Sequence, residues 1–185
     1  VSILDLGFTT GEELVAMVEK GSLALEGVID LQGFADSNMG KLIQAGYSGK
    51  EIYDLSDSEM DALFQTGYQA LGAGDYTGAR AIFTKLAQLD QLDARFPFAL
   101  GATLRLQGEL GKAAKCYLLA ISLNAIWPEA FVRLGECLML AGELDYARDA
   151  LEEAIEQAGE HKHGATARSE AKALLAKIAK SEDVH

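Results

Sequence analysis

Glycine recurs at Gly67, Gly101 and Gly135, and again at Gly74, Gly108 and Gly142, each series advancing by 34 residues. Alanine keeps the same step at Ala79, Ala113 and Ala147, as do the bulkier Phe83, Tyr117 and Leu151 and then Leu86, Ala120 and Ala154. A fixed period constrains a chain more than composition does. Every unit must fold alike, and none can bury its apolar face without a neighbour. This period, with small residues at set places, predicts an all-α solenoid of three helix–turn–helix repeats, 60–93, 94–127 and 128–161.

Within each unit the residues have separate duties. In the first helix the fourth, seventh and eleventh places form one apolar stripe, as in Pro97, Leu100 and Leu104 or Phe131, Leu134 and Leu138. Glycine at the eighth place lets the second helix approach, with the alanine at the twentieth place expected to face it. Gly74, Gly108 and Gly142 are expected to end the first helices in the left-handed conformation, and Tyr76, Leu110 and Leu144 restart the apolar pattern. Pro97 and Pro128 fall in opening turns, where a missing amide proton does little harm. Together these features are those of the tetratricopeptide repeat.

The flanks read as covers for the ends of the stack. Residues 1–41 form an N-terminal extension in which Thr9 or Thr10, followed by Glu12 or Glu13, starts a helix running to about Lys20. The stretch holding Leu23, Leu25, Val28, Ile29 and Leu31 is read as helix, although its periodicity also admits an extended piece. Gly33, Gly40 and Ala45 fall one period before their counterparts, but Gln32, Asp36 and Gly49 occupy apolar places, so no fourth repeat is assigned. The repeat domain is then 42–185. Ser48 with Glu51 and Ser56 with Glu59 are two successive capping boxes, and Leu55 and Met60 bracket the second as a hydrophobic staple. Beyond a polar break at 159–164, residues 165–180 form a capping helix with Ala167, Ala171, Leu174, Leu175 and Ile178 on one stripe.

Composition narrows the function. A chain of 185 residues, 49% hydrophobic, sustains a sizeable core, and no apolar run approaches the length of a membrane span. The formal charge is −12. Residues 162–185 carry five basic and three acidic groups, leaving 11 basic and 25 acidic before them, so the acid lies on the repeats and the N-terminal segment. Such a surface does not suit nucleic-acid phosphates. It keeps the protein soluble or steers a basic partner. Two cysteines, both within repeat helices, read as buried free thiols, and the default compartment is the cytoplasm. None of the three histidines falls in a repeat helix, so no catalytic constellation is placed. His161 and His163 lack a third metal ligand nearby, and the glycines follow helices rather than the strands of phosphate loops. No enzyme activity, cofactor or metal is expected.

The inner face of stacked first helices is the better place for a ligand. Its second, fifth, ninth and twelfth places are Asp61, Phe64, Tyr68 and Leu71, then Arg95, Phe98, Ala102 and Arg105, then Glu129, Val132, Glu136 and Met139. An aromatic trough sparse in charge results, and such apolar surface implies an occupant, either a partner's extended segment or this chain's own N-terminal residues. Repeats of this kind that grip acidic C-termini use lysine and asparagine at the fifth and ninth places. Phe64 and Tyr68 stand there instead, favouring an apolar ligand.

A longer pattern runs through these residues: Leu42-Ile43-Gln44-Ala45-Gly46, Ile52 to Leu55, Leu63-Phe64, and Gly74-Asp75-Tyr76. It continues through Phe83, Leu86, Leu89, Asp90, Asp93 and Arg95, then Leu100-Gly101-Ala102 and Glu136-Cys137-Leu138. The stretch from Leu42 to Ala154 resembles the class II chaperones of type III secretion systems, the LcrH/SycD/IpgC group. That resemblance implies a cytoplasmic chaperone without enzymatic activity, which holds an extended segment of a hydrophobic translocator in the groove and dimerises through its N-terminal helices. Groove residues implied by it are Phe64, Tyr68, Leu71, Leu89, Phe98 and Ala102; Arg105, Val132 and Met139 join them from their places in the repeat. Leu71 departs from the family, where an aromatic is common, and the segment up to Gly40 is longer than usual. The competing reading is a general repeat scaffold joining folded proteins in a secretion or pilus assembly.

Overall fold

The computed structural model describes residues 48–159 and 164–182, together with residues 41, 45 and 46. The helices expected within residues 9–31 lie outside the described residues, as do Leu42, Ile43, Gln44 and all three histidines. Eight helices follow in order among the described residues: α1 (Gly49–Ile52), α2 (Asp57–Gly72), α3 (Tyr76–Leu89), α4 (Arg95–Leu106), α5 (Leu110–Leu123), α6 (Pro128–Leu140), α7 (Leu144–Ala158) and α8 (Ala165–Glu182). Each helix from α2 onward packs on the next, and the first helices of successive repeats also meet, α2 with α4 and α4 with α6. The result is a stack of antiparallel pairs with one continuous core.

Local chemistry sets each boundary. Ser48 accepts the Glu51 amide proton and Ser56 that of Glu59, while each glutamate takes the cap residue's own amide, at 2.8 and 2.9 Å. Both capping boxes therefore form. Hydrogen bonds from Ser56 hold the Glu59 carboxyl below its ordinary range, and those from Ser48 do the same for Glu51. Met60 is buried at the core end of the second box, with Leu55 partly buried against the same core. At the other ends Gly74, Gly108 and Gly142 take φ of +80°, +78° and +83°. There the amides of Asp75, Glu109 and Glu143 reach back to Ala70, Leu104 and Leu138 at 2.9 Å each, which makes three Schellman motifs.

Inside each pair the helices touch through one recurring contact. A Cβ on Gly67 would lie 2.6 Å from the Phe83 ring, one on Gly101 3.0 Å from Tyr117, and one on Gly135 2.7 Å from Leu151. The residue nearest the glycine is thus the bulky one at the twenty-fourth place, and in the third repeat the alanine at the twentieth, Ala147, also comes within 3.4 Å through its carbonyl oxygen. Ala79, Ala113 and Ala147 are fully buried in the same cluster. Phe83, Tyr117 and Leu151 are fully buried too, so each glycine is the hollow that a large side chain fills.

The last helix closes the stack. α8 packs on both α6 and α7, burying Ala167, Ala171, Leu174 and Ile178 with Leu175 at the edge, while Lys172, Lys177 and Lys180 stay exposed. Arg133 of α6 pairs with Glu170 of α8 and ties the cap to the third repeat. Cys116 and Cys137 are buried free thiols, and burial pushes both up to about 12.

Two glycines of one helix should answer oppositely to the same change. Gly67→Ala drives a methyl into the Phe83 ring and should lower stability by about 1 to 3 kcal/mol. Gly72→Ala meets nothing within 4 Å and should be neutral or gain about 0.5 kcal/mol. Urea denaturation followed by circular dichroism measures both.

Candidate peptide-binding face

The first helices α2, α4 and α6 stand side by side, and residues three or four apart on each share a face. The expected ligand residues fall into floor and surface. On α2, Tyr68 is 39% exposed and Leu71 partly buried, but Phe64 keeps only 9% of its surface. Its ring sits 4.9 Å from Tyr68, 5.5 Å from Phe96 and 5.8 Å from Phe83, and Tyr68 lies 5.4 Å from Phe83. Burial in this cluster pushes the Tyr68 hydroxyl above its ordinary pKa. Leu89, at the end of α3, is buried.

On α4, Phe98, Ala102 and Arg105 are all partly exposed. Phe98 stands edge-on to Tyr117 at 5.5 Å and stacks on Trp127 at 4.4 Å with the planes 25° apart. On α6, Met139 is partly exposed, whereas Val132 is fully buried and belongs to the floor. Phe64 likewise has far less surface than its place in the repeat suggested, because rings from three helices close around it.

The face also carries more charge than the sequence reading allowed. Arg95 binds Asp61, one repeat back, at 2.9 Å and Asp93 at 2.6 Å. Arg133, at a sixth place that is not among those read as inward-facing, binds Glu136 at 2.7 Å and also pairs with Glu170, and Arg105 stands 3.9 Å from the same Glu136. Beside them the Tyr117 side chain is fully buried, and burial pushes its pKa up against the opposing pull of Arg105. The surface therefore has rings beside an ion cluster at Arg95 in its first half, and ions at Arg105, Arg133 and Glu136 in its second. Among the described residues of this face no acid, base and nucleophile come together.

Three features escaped the sequence reading. Trp127 precedes α6, where its backbone amide is held by the Gln157 side chain at 3.2 Å, which fixes the ring over Phe98. Leu106 and Leu140 are exposed at the thirteenth place of their repeats, and Leu92 and Ile126 are exposed at the thirty-third. A signal for the leucine and isoleucine pairs was present, since each advances by the same 34 residues at places the core does not need.

No protein-family model matches the chain. Among curated proteins it is 26% identical over 113 residues to the low calcium response locus protein H of Yersinia pestis, covering 61% of this chain and 67% of the relative. Its fold matches a type III secretion complex from Aeromonas hydrophila with a TM-score of 0.72 and 25% identity, over 80% of this chain and 98% of that one. PcrH of Pseudomonas aeruginosa matches with a TM-score of 0.65 and 26% identity, over 68% and 95%. PcrH has also been solved in complex with the chaperone-binding region of PopD. In sequence and fold the chain is therefore similar to the class II translocator chaperones of type III secretion.

Trp127 is the sole tryptophan, so its emission reports this face. Phe98→Ala removes the stacked ring and should shift the emission to longer wavelength while leaving the far-ultraviolet circular dichroism unchanged. An unshifted spectrum would contradict the stack.

Proposed function

We propose that this chain, similar in fold and sequence to the class II chaperones of type III secretion, is itself such a chaperone. It holds an extended hydrophobic segment of a translocator across the first helices and keeps that client soluble until secretion. The supporting observation is the strip of half-exposed apolar side chains on adjacent first helices: Tyr68 and Leu71 on α2, Phe98 and Ala102 on α4, and Met139 on α6. Phe64 and Val132, on the same helices, are buried beside it, Leu89 is buried at the end of α3, and Arg105 borders it. PcrH, whose fold this chain matches, has been solved with the chaperone-binding region of PopD.

The energetics suit reversible holding. About four client side chains buried at about 1.5 to 3 kcal/mol each offset the cost of ordering an extended segment, which gives micromolar or somewhat tighter affinity. Catalysis has no part in this role, and neither a cofactor nor a nucleic acid is needed. No described helix is long and apolar enough to cross a membrane. The chaperone acts in the bacterial cytoplasm, and a homodimer formed through residues 1–41 belongs to the same proposal.

Co-expression with a hydrophobic translocator of a type III secretion system tests the role. Leu71→Glu with Met139→Glu places two charges on the strip at partly exposed positions, and should cost at least about tenfold in affinity with helicity unchanged. Undiminished co-purification of that double variant would remove the groove from the proposal.

A further inference from the structure

We propose that Arg95 gates the Phe64 end of this groove, lying across the ring until an apolar side chain of the occupant displaces it. The inference rests on the groove reading above and adds how one end of it opens. Phe64 is 9% exposed, although its neighbours along the same helix face, Asp61 and Tyr68, are open to solvent. The Arg95 guanidinium lies over it, 5.2 Å from the Phe64 ring and 5.6 Å from that of Phe96.

What holds Arg95 there is polar and solvent-accessible. Its Nε donates to both Asp93 oxygens at 3.0 and 2.9 Å, and one terminal nitrogen donates to Asp93 at 2.6 Å. The other terminal nitrogen donates to Asp61 at 2.9 Å. Asp93 lies two residues before Arg95 and also accepts the Arg95 amide proton, so it is a local anchor on which the guanidinium must turn. Asp61 belongs to the preceding repeat, and its bond is the one that ties the guanidinium across the Phe64 ring to the neighbouring unit. The side chains of Arg95 and Asp61 are 48% and 55% exposed. An ion pair so exposed adds little, and a planar, weakly hydrated guanidinium gives up a ring face cheaply.

No other repeat has this device. One period on from Arg95 stands Glu129, and at the matching fifth place Phe98 is covered by Trp127 and Tyr117, which are neutral. The occupant's contribution follows from the chemistry: a bulky apolar or aromatic side chain replaces the cation over Phe64, whereas a small polar one leaves the gate shut.

The test uses the full chain and the neutral apolar dye Nile red, in about 20 mM and about 0.5 M sodium chloride. Asp61→Asn and Arg95→Ala should each tighten the dye roughly two- to fivefold at low salt. High salt should bring the unaltered protein toward the variants, while Arg95→Ala responds little. Equal affinities and equal salt responses for the unaltered chain and Asp61→Asn would overturn the gate and leave the groove standing. Weaker binding in either variant would make Arg95 a contact, not a gate. Ala102→Trp should expel the dye from the groove floor, and a dye indifferent to it would overturn the groove and the gate together.

Discussion

The structure depends on a large side chain seated against a residue that has none. In each repeat the second helix delivers Phe83, Tyr117 or Leu151 into the hollow left at Gly67, Gly101 or Gly135. The contact sets the distance between paired helices, and thereby the spacing at which the next pair must sit. Helix propensity opposes glycine at these places, since each lies within a helix and costs about 0.5 to 1 kcal/mol relative to alanine. Burying an entire phenylalanine or leucine returns about 1.5 to 3 kcal/mol, more than the glycine costs. The hollow is therefore favourable on balance, and it recurs at every repeat.

Electrostatics joins the repeats where apolar contact thins out. Arg80 of α3 meets Glu109 before α5, Arg95 meets Asp61, and Arg133 meets Glu170. Each pair bridges elements of neighbouring units. Their exposure limits what each adds to stability, but they fix how one pair of helices sits on the next at the surface. A chain with formal charge −12 spends several of its few cations this way.

What could be read from the sequence was what local chemistry decides. Capping boxes at Ser48 and Ser56, left-handed glycines after α2, α4 and α6, and the buried stripe of α8 all follow from residues a few positions apart. Facing partners across a helix pair are different. The alanine at the twentieth place and the ring at the twenty-fourth share one helix face, and spacing alone does not say which of them reaches the glycine. The same limit applied to the site: Val132 and Phe64 occupy ligand places in the repeat, yet neighbours from other helices cover them. Trp127 was illegible for a related reason, because its position depends on Gln157, 30 residues away.

The folding contact and the binding face share residues, and this decides how far the aromatic groove extends. Phe83 fills the hollow at Gly67 and also forms the wall behind Phe64 and Tyr68. Tyr117 fills the hollow at Gly101 and stands edge-on to Phe98. In the third repeat the filling residue is Leu151, the fifth place is a fully buried valine, and no ring stands behind the surface. Aromatic support therefore ends after the second unit, where Arg105, Glu136 and Arg133 take over. The order of rings and ions along this face is thus written by the same side chains that hold the helix pairs together, and it cannot be changed without disturbing the fold beneath it.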